Sequence, residues 1–133
     1  MKLKIILLIL LAIMTFTFCD SDSDSIVGSV EDIEINNVSF IVDSTYEESS
    51  VLYATGRATN LGTKNIMSPW YVEAQFYTNS TYSTKLGGNS KEIKVPLEPY
   101  QSTFWTITFS SSTIDVNLYP NFRVSDLRAI YKE

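Results

Sequence analysis

The chain has 133 residues, a formal charge of −5, one cysteine and no histidine. One cysteine excludes an internal disulfide framework, and the missing histidine removes the commonest general base and the commonest transition-metal ligand. The acidic balance, with no basic stripe, excludes nucleic acid as a partner, because phosphate neutralisation dominates that affinity.

Lys2 and Lys4 precede an unbroken apolar run from Ile5 to Met14, and the segment closes on Thr15-Phe16-Thr17-Phe18-Cys19-Asp20. A short basic stretch followed by about 7–15 apolar residues is the pattern of an export signal. The run is shorter than the roughly 20 residues a bilayer-spanning helix needs. The single cysteine stands at its end. In this the segment resembles a bacterial lipoprotein signal, in which a dedicated peptidase cuts before a cysteine that carries a diacylglyceryl thioether. The resemblance implies residues 1–19 as signal segment, a lipid anchor at Cys19 and a place in the bacterial cell envelope. Phe18 stands where that pattern has a small residue, and Phe16 where it has leucine. The alternative is an ordinary signal, cut near Ser21, Ser23 or Ser25, that releases a secreted domain.

Residues 20–31 read as an acidic Ser/Asp tether, too small and polar to pack a core. Asp20, Asp22, Asp24 and Glu31 have the 1-3-5-12 spacing of an EF-hand loop. Ser25 takes the place of the glycine that such a loop needs, and the exit is strand-like instead of helical. A solvated tether is therefore the expectation, with no metal and no cofactor.

From residue 32 onward the apolar period is two, the strand period. Asp32 to Val42 opens the domain, with Ile33 and Ile35 in one frame and Val38, Phe40 and Val42 in the other. The change at Asn36-Asn37 predicts a bulge or bend between two short strands. Ser44 to Ser50 reads as a loop. Val51 to Thr59 is a strand whose inward set, Leu52, Ala54, Gly56 and Ala58, is small enough for close approach of a neighbour. Asn60 to Asn65 is a turn cluster. Ile66 to Tyr77 is the strongest strand, with Trp70, Val72, Ala74 and Phe76 inward and Tyr71, Glu73, Gln75 and Tyr77 outward. Pro69 belongs near its start.

Asn79 to Ser90 reads as a loop, with a short strand at Tyr82 to Leu86. Lys91 to Leu97 alternates Ile93, Val95 and Leu97. Thr103 to Phe109 places Trp105, Ile107 and Phe109 on one face and Phe104, Thr106 and Thr108 on the other. Ser110 to Tyr119 is irregular. Phe122 to Tyr131 is the last strand, with an ambiguous frame. About seven short strands with turn signals between them are the pattern of an all-β, antiparallel, immunoglobulin-like sandwich over residues 32–133, with a closed barrel as the rival architecture.

Three stretches carry a family resemblance. They are Tyr53-Ala54-Thr55-Gly56-Arg57-Ala58-Thr59-Asn60 with Gly62, then Val72-Glu73-Ala74-Gln75-Phe76-Tyr77, then Val95-Pro96-Leu97-Glu98-Pro99-Tyr100-Gln101-Ser102. Together they resemble the FxLYD-type immunoglobulin-like modules of secreted bacterial proteins. Tyr100 stands where that pattern has glycine. The resemblance implies architecture and envelope location, and no activity.

Catalytic residues do not emerge. Glu31/Asp32, Glu47/Glu48 and Asp115 are the acidic candidates for an envelope hydrolase, the alternative function. Adjacent strand residues face opposite ways, the Glu47/Glu48 pair lies in the predicted loop at Ser44 to Ser50, and a glycosidase pair rests on distances that only the fold supplies. Serine nucleophiles would need Lys85, Lys91 or Lys94 as base. Outward aromatics are the stronger lead. Tyr71 and Tyr77 share one face and form the candidate binding face for a protein or glycan of the envelope. The expected function is a lipid-anchored, non-catalytic binding or accessory module.

Overall fold

The computed structural model describes residues 31–133. The signal segment, Cys19, and the tether with its calcium-type spacing up to residue 30 lie outside the described residues. Seven strands follow in order: β1 (Ile33–Ile35), β2 (Val38–Glu48), β3 (Val51–Asn60), β4 (Trp70–Tyr77), β5 (Lys85–Ile93), β6 (Ser102–Phe109) and β7 (Arg123–Tyr131). They form two antiparallel sheets, β1-β7-β4-β5 and β2-β3-β6. Among the described residues this is an all-β sandwich with one 3-10 turn at Val116–Leu118, capped by the Asp115 side chain.

The frame change at Asn36-Asn37 is where the chain leaves one sheet for the other. Asn37 takes a left-handed conformation, φ 61, which asparagine tolerates better than most residues. Ile35 then packs on the core from the four-stranded sheet, and Val38 and Phe40 from the three-stranded one.

Three expectations need correction. The stretch Ser44 to Ser50 is not all loop. β2 continues to Glu48, and only Ser49 (φ 52) and Ser50 (φ 61) form the turn to β3. Two left-handed residues between paired strands make a type I′ hairpin, whose twist matches that of the strands. The polar sequence misleads because β2 is an edge strand with one face in solvent. A register shift between Val42 and Ser44 leaves Asp43 as an extra residue, and its carboxylate accepts from Arg57 Nε at 3.1 Å and Nη2 at 3.0 Å.

The second correction is β5. Residues 85–93 pair with β4, Gly87 and Gly88 included, with Leu86 as an extra residue where the register shifts between Lys85 and Gly87. Gly87 leaves room for the Phe109 ring, and Gly88 for the movable end of the Gln75 side chain. A Cβ on Gly87 would stand 2.9 Å from Phe109 Cζ, and one on Gly88 2.7 Å from Gln75 Cδ. Beyond Ile93 the alternation no longer marks a strand, and Val95 is exposed. Leu97 instead bridges Ile66, with both backbone hydrogen bonds at 2.9 Å. The third is therefore Ile66: it belongs to that bridge, and β4 begins at Trp70 after Pro69. The ambiguous frame of β7 also has a cause. Between Ser125, opposite Gln75, and Arg128, opposite Glu73, two residues face one, so Asp126 and Leu127 form a bulge. Asp126 sits at φ 53.

The core is the one the periodicity predicts. Leu52, Ala54 and Ala58 of β3, Trp70, Val72, Ala74 and Phe76 of β4, and Trp105 and Ile107 of β6 are buried together. Phe76 lies between Phe109 at 5.5 Å and Phe122 at 6.0 Å, ring centroid to centroid, near the spacing aromatic pairs prefer. Trp70 Nε1 donates to the carbonyl of Val95 at 3.1 Å. Among the described residues one polar side chain, Asn60, is buried with the core, and it is fully partnered.

Candidate functional site

β4 is central in its sheet, so its outward row is flanked by strands on both sides. Tyr71, Glu73, Gln75 and Tyr77 form that row. Tyr71 and Tyr77 are thus brought to one face, at opposite ends of the strand, about 20 Å apart at the usual strand rise. Both are half-buried, and each has a lysine beside it.

At one end Lys132 Nζ stands 4.7 Å from the Tyr71 ring centroid and donates to Ser90 Oγ at 2.6 Å. This is cation–π geometry. Ile130 lies directly opposite Tyr71 in the ladder and is fully buried on this outer side, apart from the core between the sheets.

At the other end Tyr77 meets Tyr82 edge to face at 5.5 Å, with Lys85 Nζ 5.9 Å from the Tyr77 ring. The Tyr77 hydroxyl donates to Asp126 Oδ2. That hydrogen bond holds the phenol above its ordinary pKa, with desolvation and the Asp126 charge acting in the same direction. The β7 bulge is what places Asp126 there. Removing the extra residue would shift the ladder and take the carboxylate away.

Between the two ends a shallow groove of about 290 Å³ is lined by Glu73, Gln75, Gly88, Asn89 and Ser90. Glu73 Oε1 accepts from Arg128 Nη2 at 3.0 Å and Nε at 3.2 Å, and from Gln75 Nε2 at 3.4 Å. Glu73 Oε2 has no partner among the described residues. Among the described residues Glu73 is the single carboxylate that lines the groove. The arrangement offers hydrogen-bond acceptors and amides between two aromatic ends, which suits binding of a polar ligand.

The acidic candidates do not converge. Glu47 Oε1 accepts from Ser50 N in the hairpin turn, and Asp115 caps the 3-10 turn. Glu31 and Asp32 precede β1. Among the described residues no three histidine, cysteine, aspartate or glutamate side chains cluster to hold a metal ion. No helix among them is long and apolar enough to cross a membrane. Lys85 sits at Tyr77, Lys94 pairs with Glu92 at 3.7 Å, and Lys91 is exposed on β5.

A second aromatic surface was not foreseen as a unit. On the outer side of the three-stranded sheet, Tyr46 and Tyr53 stack with centroids 4.9 Å apart. Further along, Ile41, Arg57 and Phe104 form one row across β2, β3 and β6. Phe104 is the most exposed large hydrophobic of the described residues, at 77%. The signal for Phe104 was in the sequence, on the polar side of its strand. Tyr46 was hidden by the polar stretch that reads as a loop.

No family model matches the chain, and neither a curated protein nor a solved structure matches it.

Proposed function

We propose that this chain is a lipid-anchored protein of the bacterial cell envelope, held at Cys19, whose sandwich domain is a non-catalytic binding module. Tyr71 and Tyr77 anchor the ligand, and the partner is a protein or glycan of the envelope. One observation carries the reading: two outward tyrosines, each beside a lysine, bracket a polar groove on one sheet face. Tyrosine presents an apolar ring and a polar tip, and aromatic residues are enriched where proteins meet partners. The lipoprotein-type signal and the FxLYD-type motifs support the envelope setting. Two or more acyl chains give stable anchoring, and the acidic tether holds the domain off the surface.

The test is a crosslinking pull-down from native membranes, with the Tyr71→Ser/Tyr77→Ser double variant as comparison and thermal melting as the folding control. The expected result is that partners recovered with wild type are lost with the double variant. Equal recovery would show that this face is not the binding surface. The anchor is tested separately by Cys19→Ser, which should release the protein from the membrane fraction or trap the uncut precursor. Unchanged fractionation and mobility would sink the anchor.

A further inference from the structure

Three of the four sheet edges carry devices that block pairing. β1 is three residues long. β2 carries the Asp43 bulge, and Glu47 lies opposite the buried Leu52, so it starts on the core-facing side. β5 carries Lys91 opposite the buried Val72 in the same way. Short strands, bulges and inward-pointing charges keep an edge from templating another strand.

β6 has none of these. Its sequence, Ser-Thr-Phe-Trp-Thr-Ile-Thr-Phe, contains no charge, proline or glycine, and among the described residues it is paired on one side only. The register fixes which backbone groups are free. The two-residue turn makes Glu48 and Val51 a hydrogen-bonded pair, and alternation follows along β3. Leu52, Ala54, Gly56 and Ala58 therefore bond to Phe109, Ile107, Trp105 and Thr103 of β6. Ser102, Phe104, Thr106 and Thr108 turn their N–H and C=O groups away from the sheet. In that phase the Thr108 carbonyl accepts from Asn89 Nδ2 at 2.7 Å. Ser102, Phe104 and Thr106 keep N–H and C=O groups without partners among the described residues.

We propose that this edge pairs with β6 of a second copy of the chain, antiparallel, about a twofold axis at Phe104. The three residues with both groups free, Ser102, Phe104 and Thr106, are symmetric about Phe104. The register places Phe104 opposite Phe104 of the second copy, and Ser102 opposite Thr106. Each N–H of Ser102, Phe104 and Thr106 then meets a C=O of the same three residues in the second copy; the Thr108 N–H stays outside the paired set, and the Asn89–Thr108 bond stays intact. A register shifted by two residues toward Thr108 would need the carbonyl that Asn89 already holds. The two Phe104 rings, on the same outer face, become a cross-strand aromatic pair. No like charges oppose each other across the axis. Three residues a side bury well under the roughly 1,000 Å² of a lasting interface. The pairing is therefore weak in free solution and gains from confinement of the copies. It does not depend on the Tyr71 and Tyr77 face.

The experiment uses the full chain in membranes, made as two differently tagged copies with Phe104→p-benzoyl-phenylalanine, and irradiated. The expected product carries both tags. A charge series tests the register. Ser102→Lys with Thr106→Lys should abolish the product, and Ser102→Lys with Thr106→Glu should restore it. Within one chain these positions are roughly 13 Å apart, so the two variants differ in pairing and not in folding, and melting curves check this. Tyr71→Ser/Tyr77→Ser should leave the product unchanged. An adduct confined to one chain, an adduct to another protein alone, no adduct, or equal product from both charge variants each overturns the proposal.

Discussion

Trp105 occupies the space that a side chain on Gly56 would need. A Cβ built there would stand 2.8 Å from Trp105 Cε2, and closer still to Cζ2 and to the carbonyl oxygen of Ile41. β3 runs between β2 and β6, so neither neighbour can retreat without breaking its ladder. Gly56→Ala should therefore destabilise the domain by about 2–3 kcal/mol, the upper part of the roughly 1–3 kcal/mol usual for overpacking. Urea unfolding measures this, and an alanine variant as stable as wild type would show that the indole can shift at no cost.

Asn60 ties two connections to the end of β3. Its Nδ2 donates to the carbonyls of Lys64 at 2.8 Å and Leu97 at 2.9 Å, and its Oδ1 accepts from Gly62 N at 2.9 Å. The side chain is only 1% exposed, so lost partners are poorly replaced by water. Asn60→Ala should cost about 2–3 kcal/mol, since a buried group left without a partner costs about 1–3 kcal/mol. Asn60→Asp keeps the acceptor but loses both donors and buries a charge, and should be no milder at neutral pH. A near-wild-type denaturation curve for the aspartate variant would mean that the amide donors do not hold these connections.

Tyr77 gives a pH prediction. Its hydrogen bond to Asp126, then desolvation and the Asp126 charge, raise the phenol above its ordinary value. The neutral form is thus favoured by folding. Its contribution is fully present below the unfolded phenol pKa of about 10 and is lost as pH rises through the higher folded value. In an ultraviolet phenolate titration, the difference between wild type and Tyr77→Phe should rise late, above the ordinary phenol range. Asp126→Gly suits the φ of 53 at that position and should return the transition to the ordinary range. A late transition that survives Asp126→Gly would assign the shift to another cause.

The strands with two contrasting faces were legible in the sequence. β3, β4 and β6 alternate large or small apolar residues with polar ones, and their inward sets are the core. What period two cannot show is where a third body replaces a side chain. Gly87 and Gly88 read as a loop because the groups that fill their places, Phe109 and Gln75, come from other strands. Bulges hide in the same way, since Asp43 and Asp126 are extra only relative to a partner strand. The site shows the same division. The outward direction of Tyr71 and Tyr77 follows from the period of β4 alone. Lys132, Lys85 and Asp126 reach them only through register, which the bulge and the β4–β5 pairing set.

Tyr100 tests a departure that was visible in the sequence. It stands where the resembling motif has glycine, and the turn holds it at φ 62. Its N–H donates to the carbonyl of Asn60 at 2.7 Å, which fixes the backbone there. The side chain is 71% exposed, so little packing offsets the left-handed conformation. A non-glycine residue in that region costs about 1–2 kcal/mol. Glycine removes this cost and adds about 0.5–1 kcal/mol of chain entropy lost on folding. Tyr100→Gly should therefore raise stability by about 0.5–1 kcal/mol, while Tyr100→Ala, which keeps the conformational cost, should not. Urea midpoints of the two variants decide it: equal shifts would assign the effect to loss of the ring and remove backbone strain as its source.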